Sequence, residues 1–80
     1  MTNAEQDRLT MRHLSAAIRC ARRKQGWTQV ELGIAAGVHS VYISQLERGV
    51  RSATSVTTVV RIAQALGLPA GALLDGEWKP

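Results

Sequence analysis

The stretch from Thr28 to Gly49 reads TQVELGIAAGVHSVYISQLERG. Two short apolar runs of helical spacing meet across Gly37. Thr28 is a good N-cap, and Glu31 three residues later completes a capping box. A helix is therefore expected over about Gln29 to Ala36, with Leu32 and Ala36 facing inward and Gly37 ending it. A second helix is expected over about Ser40 to Arg48, ended by Gly49. Ile43, Leu46 and Glu47 share its inward face, and Val41, Ser44, Gln45 and Arg48 lie opposite, with Tyr42 on the flank. His39 takes the N-cap place, for which it is a poor choice. Gly33 lies inside the first of these helices at a cost of about 1 kcal/mol against alanine. That cost makes sense if another backbone passes close by. The polar side of the second helix then needs a reason of its own.

Outward from this stretch, the same periodicity continues. Leu14, Ala17, Ile18, Ala21, Arg22 and Gln25 recur at helical steps, so a helix is expected from about Thr10 to Gln25, stopped by Gly26. Thr2 with Glu5 has the form of an earlier cap, so this helix has a possible earlier start. After the loop VRSATS, Thr54 or Ser55 caps a fourth helix over about Val56 to Leu66. Its inward residues are Val59, Val60, Ile62, Ala63 and Leu66. Pro69 starts a last short helix with Leu73 and Leu74 facing the core, and DGEWKP is a tail. Nothing alternates apolar and polar over strand length, so the fold class is all-α. One domain over residues 1–80 is expected, with its core at about 10–74.

A chain of 80 residues has a marginal core, which calls for compact helix packing or a partner chain. Trp27 is expected to plug the top of that core, whereas Trp78 has no assignable core partner. The lone Cys20 excludes an internal disulfide framework and any multi-cysteine metal site. His13 and His39 show no metal spacing with it or with an acid, so no metal or cofactor is expected. There is no apolar run of membrane-spanning length, and the polar start MTNAEQDRL is no signal peptide, so the expected location is the cytoplasm. The charge is uneven. Residues 8–61 carry a net +7, against −2 for residues 1–7 and −1 for residues 62–80. A basic middle fits a polyanionic partner or a plain solvated surface. No nucleophile stands with a base, no glycine-rich loop precedes a helix, and no paired acids flank a histidine, so an enzyme is not expected.

With Gln29 as the first position of a helix-turn-helix, the fifth is Gly33, the ninth Gly37, the fifteenth Ile43 and the eighteenth Leu46. GWTQVEL, AAGV, YISQLERG and IAQALGLP follow in register. The chain resembles the Cro/repressor-type helix-turn-helix proteins, the XRE regulators, over about residues 14–74. It departs from their pattern at His39, at Gly33 and at Ala53, which stands near a usual proline. The resemblance implies a compact five-helix repressor-like domain whose third helix enters a DNA major groove. It also implies that Arg22 and Glu47, opposite charges on inward faces, meet as a buried ion pair tying the first helix to the third.

On this reading Val41 presses on a thymine methyl group and Gln45 pairs with adenine through two hydrogen bonds. Ser40 reaches base edges or a phosphate. Ser44 is a further candidate, and His39 is grouped with the contacting set. Tyr42 is either a half-buried packing residue or, as the resemblance implies, a DNA contact. Gln29 and Thr28 open the helix over Gln29 to Ala36, where free backbone N–H groups form an anion site for a phosphate. Arg51 is placed for phosphate or groove contact, or for solvent, and Arg48 similarly. The expected partner is a palindromic double-stranded operator bound by a homodimer acting as a repressor. The dimer surface is expected toward the C-terminus, at Leu68, Ala70, Leu73, Leu74 and Trp78. An antitoxin, a restriction-modification controller, and a protein-interaction module of the same fold stand as alternatives.

Overall fold

The first helix begins at Asn3 rather than near Thr10. In the computed structural model, which describes residues 2–51 and 54–74, the Thr2 hydroxyl accepts a hydrogen bond from the Glu5 backbone at 3.1 Å. No glycine or proline interrupts the chain from there to Lys24. Helix α1 (Asn3–Lys24) is therefore 22 residues long, about 33 Å. It is followed by α2 (Gln29–Ala36), α3 (Ser40–Arg48), α4 (Val56–Leu66) and α5 (Ala70–Leu74), with no strand among the described residues. Ser55, not Thr54, caps α4, its hydroxyl accepting from the Thr58 backbone at 3.1 Å.

The apolar stripes converge as their spacing requires. Leu14, Ile18, Leu32, Ile43, Leu46, Ile62 and Leu73 are all fully buried, one or more from every helix. Each contributes about 1.5–3 kcal/mol by leaving water. Helix α1 packs on α3 and α5, while α2 packs on α3 and α4. Trp27 is half-buried against the core, as expected. Val60 is only half-buried, because α4 turns it to the rim of its stripe. Gln25 is exposed overall, yet its side-chain amide donates to the Leu66 carbonyl at 2.8 Å and so ties the end of α1 to the end of α4. Leu73 lies wholly within the chain's own core, which removes it from any surface a second copy could touch. The side chains of Ala70 and Leu74, and all of Trp78 and the DGEWKP tail, lie outside the described residues, as does Ala53.

Two glycines set the angle between α2 and α3. Gly37 turns the chain at φ +70, a left-handed conformation that a Cβ opposes. Gly33 is needed for a different reason. A Cβ there would collide with the Val38 carbonyl oxygen and press on the Ser40 backbone nitrogen at 3.3 Å. The close backbone is thus that of the turn and the very start of α3, not the body of the third helix.

Arg22 and Glu47 meet as a buried ion pair. Arg22 Nε donates to Glu47 Oε2 at 2.6 Å and Nη2 to Oε1 at 2.9 Å, with only 9% and 4% of the two residues exposed. Arg22 Nη1 donates to the Trp27 carbonyl at 2.7 Å, and the Gln29 side chain donates to Glu47 Oε1 at 3.2 Å. The hydrogen bond to Glu47 raises the Arg22 pKa further, against the opposing effect of burial. No buried side-chain nitrogen or oxygen among the described residues lacks a partner. A bidentate pair so satisfied contributes little against an apolar pair of equal volume, but breaking it strands a charge. Glu47→Ala should therefore cost about 3–5 kcal/mol in urea denaturation, a large part of the ~5–15 kcal/mol typical of a whole domain. Arg22→Met with Glu47→Leu should recover most of that loss. A Glu47→Ala midpoint close to wild type would show that the pair is not buried in solution.

Candidate nucleic-acid interface

The start of α2 is held by a reciprocal cap. Glu31 N–H donates to the Thr28 hydroxyl oxygen at 3.0 Å, and Thr28 N–H donates to Glu31 Oε1 at 2.9 Å. Hydrogen bonds to the carboxyl from the Thr28 backbone N–H foremost, and then from the Thr28 side chain, hold Glu31 below its ordinary range. The Thr28 hydroxyl thus accepts from the Glu31 N–H and gives its own proton to the Glu31 carboxylate. Gln29, next in line, turns its side-chain amide inward to Glu47. The Gln29 side chain is thereby drawn away from the α2 terminus, which keeps the backbone N–H groups of a helix start.

The tip of α3 is capped by His39 after all. Its Nδ1 accepts from the Val41 backbone at 3.1 Å, which places the ring proton on Nε2, free to donate outward. Along the exposed side, Val41 is 56% exposed, while Ser40, Ser44 and Gln45 are half-exposed. Tyr42 packs on the core edge, and its hydroxyl is hydrogen-bonded to that of Thr54. Arg48 is exposed, its Nε reaching back to the Ser44 carbonyl at 3.4 Å. Arg51 folds back from the loop. Its guanidinium carbon lies 4.0 Å from the Tyr42 ring centroid, and its Nε donates to Gln45 Oε1 at 2.9 Å. One surface thus brings His39, Ser40, Val41, Tyr42, Ser44, Gln45, Arg48 and Arg51 together on or beside α3, with Thr28 and Gln29 at the neighbouring end of α2.

The residue pattern gave no warning of a second feature. A groove of about 940 Å³ opens between the early turns of α1 and the end of α3, with Arg8, Arg12, Arg19, Arg48 and Arg51 along it. Among the described residues the one ion pair within 4.0 Å is Arg22–Glu47, so none of these five arginines pairs at that distance with a described carboxylate, although Asp7 lines the same groove. The charge counts pointed to a basic middle, but the meeting of Arg8 and Arg12 with Arg48 depends on the length of α1.

The arrangement, a capped short helix, a glycine turn and a second helix with one side left polar, matches a known family model. The helix-turn-helix model covers residues 18–73. This chain belongs to the helix-turn-helix family, of the XRE type.

It carries the helix-turn-helix domain of transcriptional regulators. An HTH-type transcriptional regulator of Mycobacterium tuberculosis (strain H37Rv) is 41% identical over 56 residues, 70% of this chain and 22% of the relative. Another from Sinorhizobium fredii is 47% identical over 47 residues, 59% of this chain and 60% of that one. The chain therefore spans about a fifth of the mycobacterial relative and under two thirds of the rhizobial one. Among solved structures, a hypothetical transcription factor from Neisseria, NHTF, superposes with a TM-score of 0.78 at 29% identity, covering 85% of this chain and 75% of that one. SinR, a master regulator for biofilm formation solved in complex with DNA, gives 0.74 at 27% identity, over 78% and 98% of the two chains. These are regulators rather than enzymes. No described helix is long and apolar enough to cross a membrane.

The helix-turn-helix cap has a pH signature. A carboxylate held below its unfolded value adds stability that is present above that value and lost as the pH falls through its folded one. The Glu31 carboxyl should titrate by NMR below the ordinary ~4.3. Thr28→Ala removes one of its two bonds and should raise the midpoint part of the way. A wild-type midpoint at the ordinary value would mean that the cap is open in solution.

Proposed function

We propose that this chain is a sequence-specific double-stranded DNA-binding module of a transcriptional regulator, reading base edges with the exposed side of α3. The observation that supports this best is the division of α3 itself. Ile43, Leu46 and Glu47 are buried, and Val41, Ser44 and Gln45 are left outward on a helix that a major groove admits. The α2 terminus supplies Thr28 and Gln29 to one phosphate strand. Ser40 and His39 sit at the tip, and Arg48 and Arg51 add positive charge at the other end. The arginines along the groove extend that charge, as a polyanion requires. The site of action on this reading is the nucleoid, in the cytoplasm.

The wider role we infer is that of a repressor-like homodimer on a palindromic operator. One recognition helix reads only a few base pairs, and two-fold dimers read half-sites about 34–36 Å apart. With Leu73 consumed by the core, Leu68 is the remaining described residue of the expected C-terminal dimer patch, half-buried within the chain. Antitoxins and restriction-modification controllers share this module, and a protein-interaction module shares the fold. The exposed cationic surround favours DNA over the last.

Selection of bound duplexes from a random pool tests the proposal. A defined sequence should emerge, bound more tightly than random DNA by a salt-sensitive margin. Val41→Ala should weaken binding to that sequence more than to random DNA. Thr28→Val should weaken both alike, since phosphate contacts carry no sequence information. Recovery of no preferred sequence would contradict the reading. Footprinting should then show two inverted half-sites on one face of the duplex, with two chains bound per site by sedimentation. One half-site holding one chain at saturation would contradict the dimer.

A further inference from the structure

Arg51 stands two residues beyond Gly49, the C-cap of α3, yet its side chain does not trail into the loop. It folds back along the helix to lie over Tyr42 and bond to Gln45. The Tyr42 ring is in turn pinned through its hydroxyl to Thr54, at the far side of the loop. Two contacts thus fix one guanidinium against the exposed side of the recognition helix, and a third holds the ring it lies on. The clamp holds the guanidinium beside Gln45, on the side of α3 left outward, rather than out along the loop.

We propose that Arg51 and Gln45 form one base-reading unit, stacked on Tyr42, which selects guanine. This inference rests on the DNA-reading proposal above and sharpens it, because a lone glutamine at this place is expected to prefer adenine. The argument lies in the donor and acceptor inventory. Gln45 Oε1, its one acceptor group, is engaged by the cationic Arg51 Nε–H at 2.9 Å. What remains is chiefly donors, the Gln45 amide NH₂ and the four Nη–H groups of Arg51, against a single lone pair left on a Gln45 Oε1 that is turned toward Arg51. Guanine shows two acceptors in the major groove, N7 and O6. Adenine shows one acceptor and a donor, N6–H₂, which would face donors here. Stacking on Tyr42 also orders the guanidinium before DNA arrives, so less rotamer freedom is lost on binding.

Selected sites for the wild-type chain should carry guanine at one position of each half-site. Replacing that guanine by adenine should raise Kd about 5- to 150-fold, the range of a good bidentate contact. Gln45→Ala and Arg51→Gln should each flatten the preference at that same position. Arg51→Lys keeps the charge but not the fork, so it should keep random-DNA affinity and the salt slope while losing the guanine preference. Tyr42→Leu should weaken the preference without touching neighbouring positions. Circular dichroism melts of each variant establish that the fold is kept. Two results would overturn the proposal while leaving the DNA-binding reading intact. One is adenine at the position controlled by Gln45. The other is an Arg51→Gln loss that is equal on guanine and adenine sites, with the salt slope reduced by about one, the mark of a phosphate contact. A wild-type chain that selects no sequence would overturn both.

Discussion

The bidentate contact between Arg22 and Glu47 is the constraint on which the rest of the molecule depends. It joins the last turn of α1 to the last turn of α3. Its spare valences are met by the Trp27 carbonyl, just ahead of α2, and by Gln29 at the first turn of α2. Three helices are thus registered by two side chains. Apolar packing alone tolerates small rotations of one helix on another. A buried guanidinium–carboxylate pair does not, because each lost hydrogen bond leaves an uncompensated charge. The pair therefore sets which side of α3 faces outward.

That orientation divides the surface by chemistry. The side of α3 that carries Glu47 is dry and filled. The opposite side carries Val41, Ser44 and Gln45 in contact with solvent, edged by His39 at one end and Arg48 and Arg51 at the other. The turn sharpens the division. With no Cβ at Gly33, the Val38 carbonyl and the Ser40 backbone can lie directly on α2, so α3 leaves the turn close to its neighbour and at a fixed angle. Charge follows the same geometry, since the unusual length of α1 carries Arg8 and Arg12 to the edge where α3 ends. The basic residues thus gather on the side that the core does not use.

Much of this was legible in the residues because the signals are local. Thr28 with Glu31, and the glycines after α2, α3 and α4, mark helix ends through backbone chemistry that acts within four residues. The apolar spacing of Leu14, Ile18, Ile43, Leu46 and Ile62 follows from helix geometry alone. The start of α1 was ambiguous because Thr2 and Thr10 both offer a hydroxyl and nothing between them breaks a helix. Leu73 was read as facing two ways, since a five-residue helix has too little periodicity to separate core from surface. His39 looked a poor cap by type, but an imidazole Nδ1 accepts as a carbonyl does. The inward turn of Gln29 and the backward fold of Arg51 were not legible. Both are rotamer choices made by partners 18 and 6 residues away, and no periodicity encodes them.

The central claim is that the exposed side of α3, held outward by the buried pair, is the surface that meets DNA. Titration of ¹⁵N-labelled protein with its selected duplex, followed by amide chemical shifts, tests this most directly. The account requires the largest changes at Thr28 and Gln29 and along Ser40 to Gln45, continuing to Arg51, with the buried positions of α4 nearly still. Changes concentrated on α4 and α5, with Val41, Ser44 and Gln45 unmoved at saturation, would contradict it.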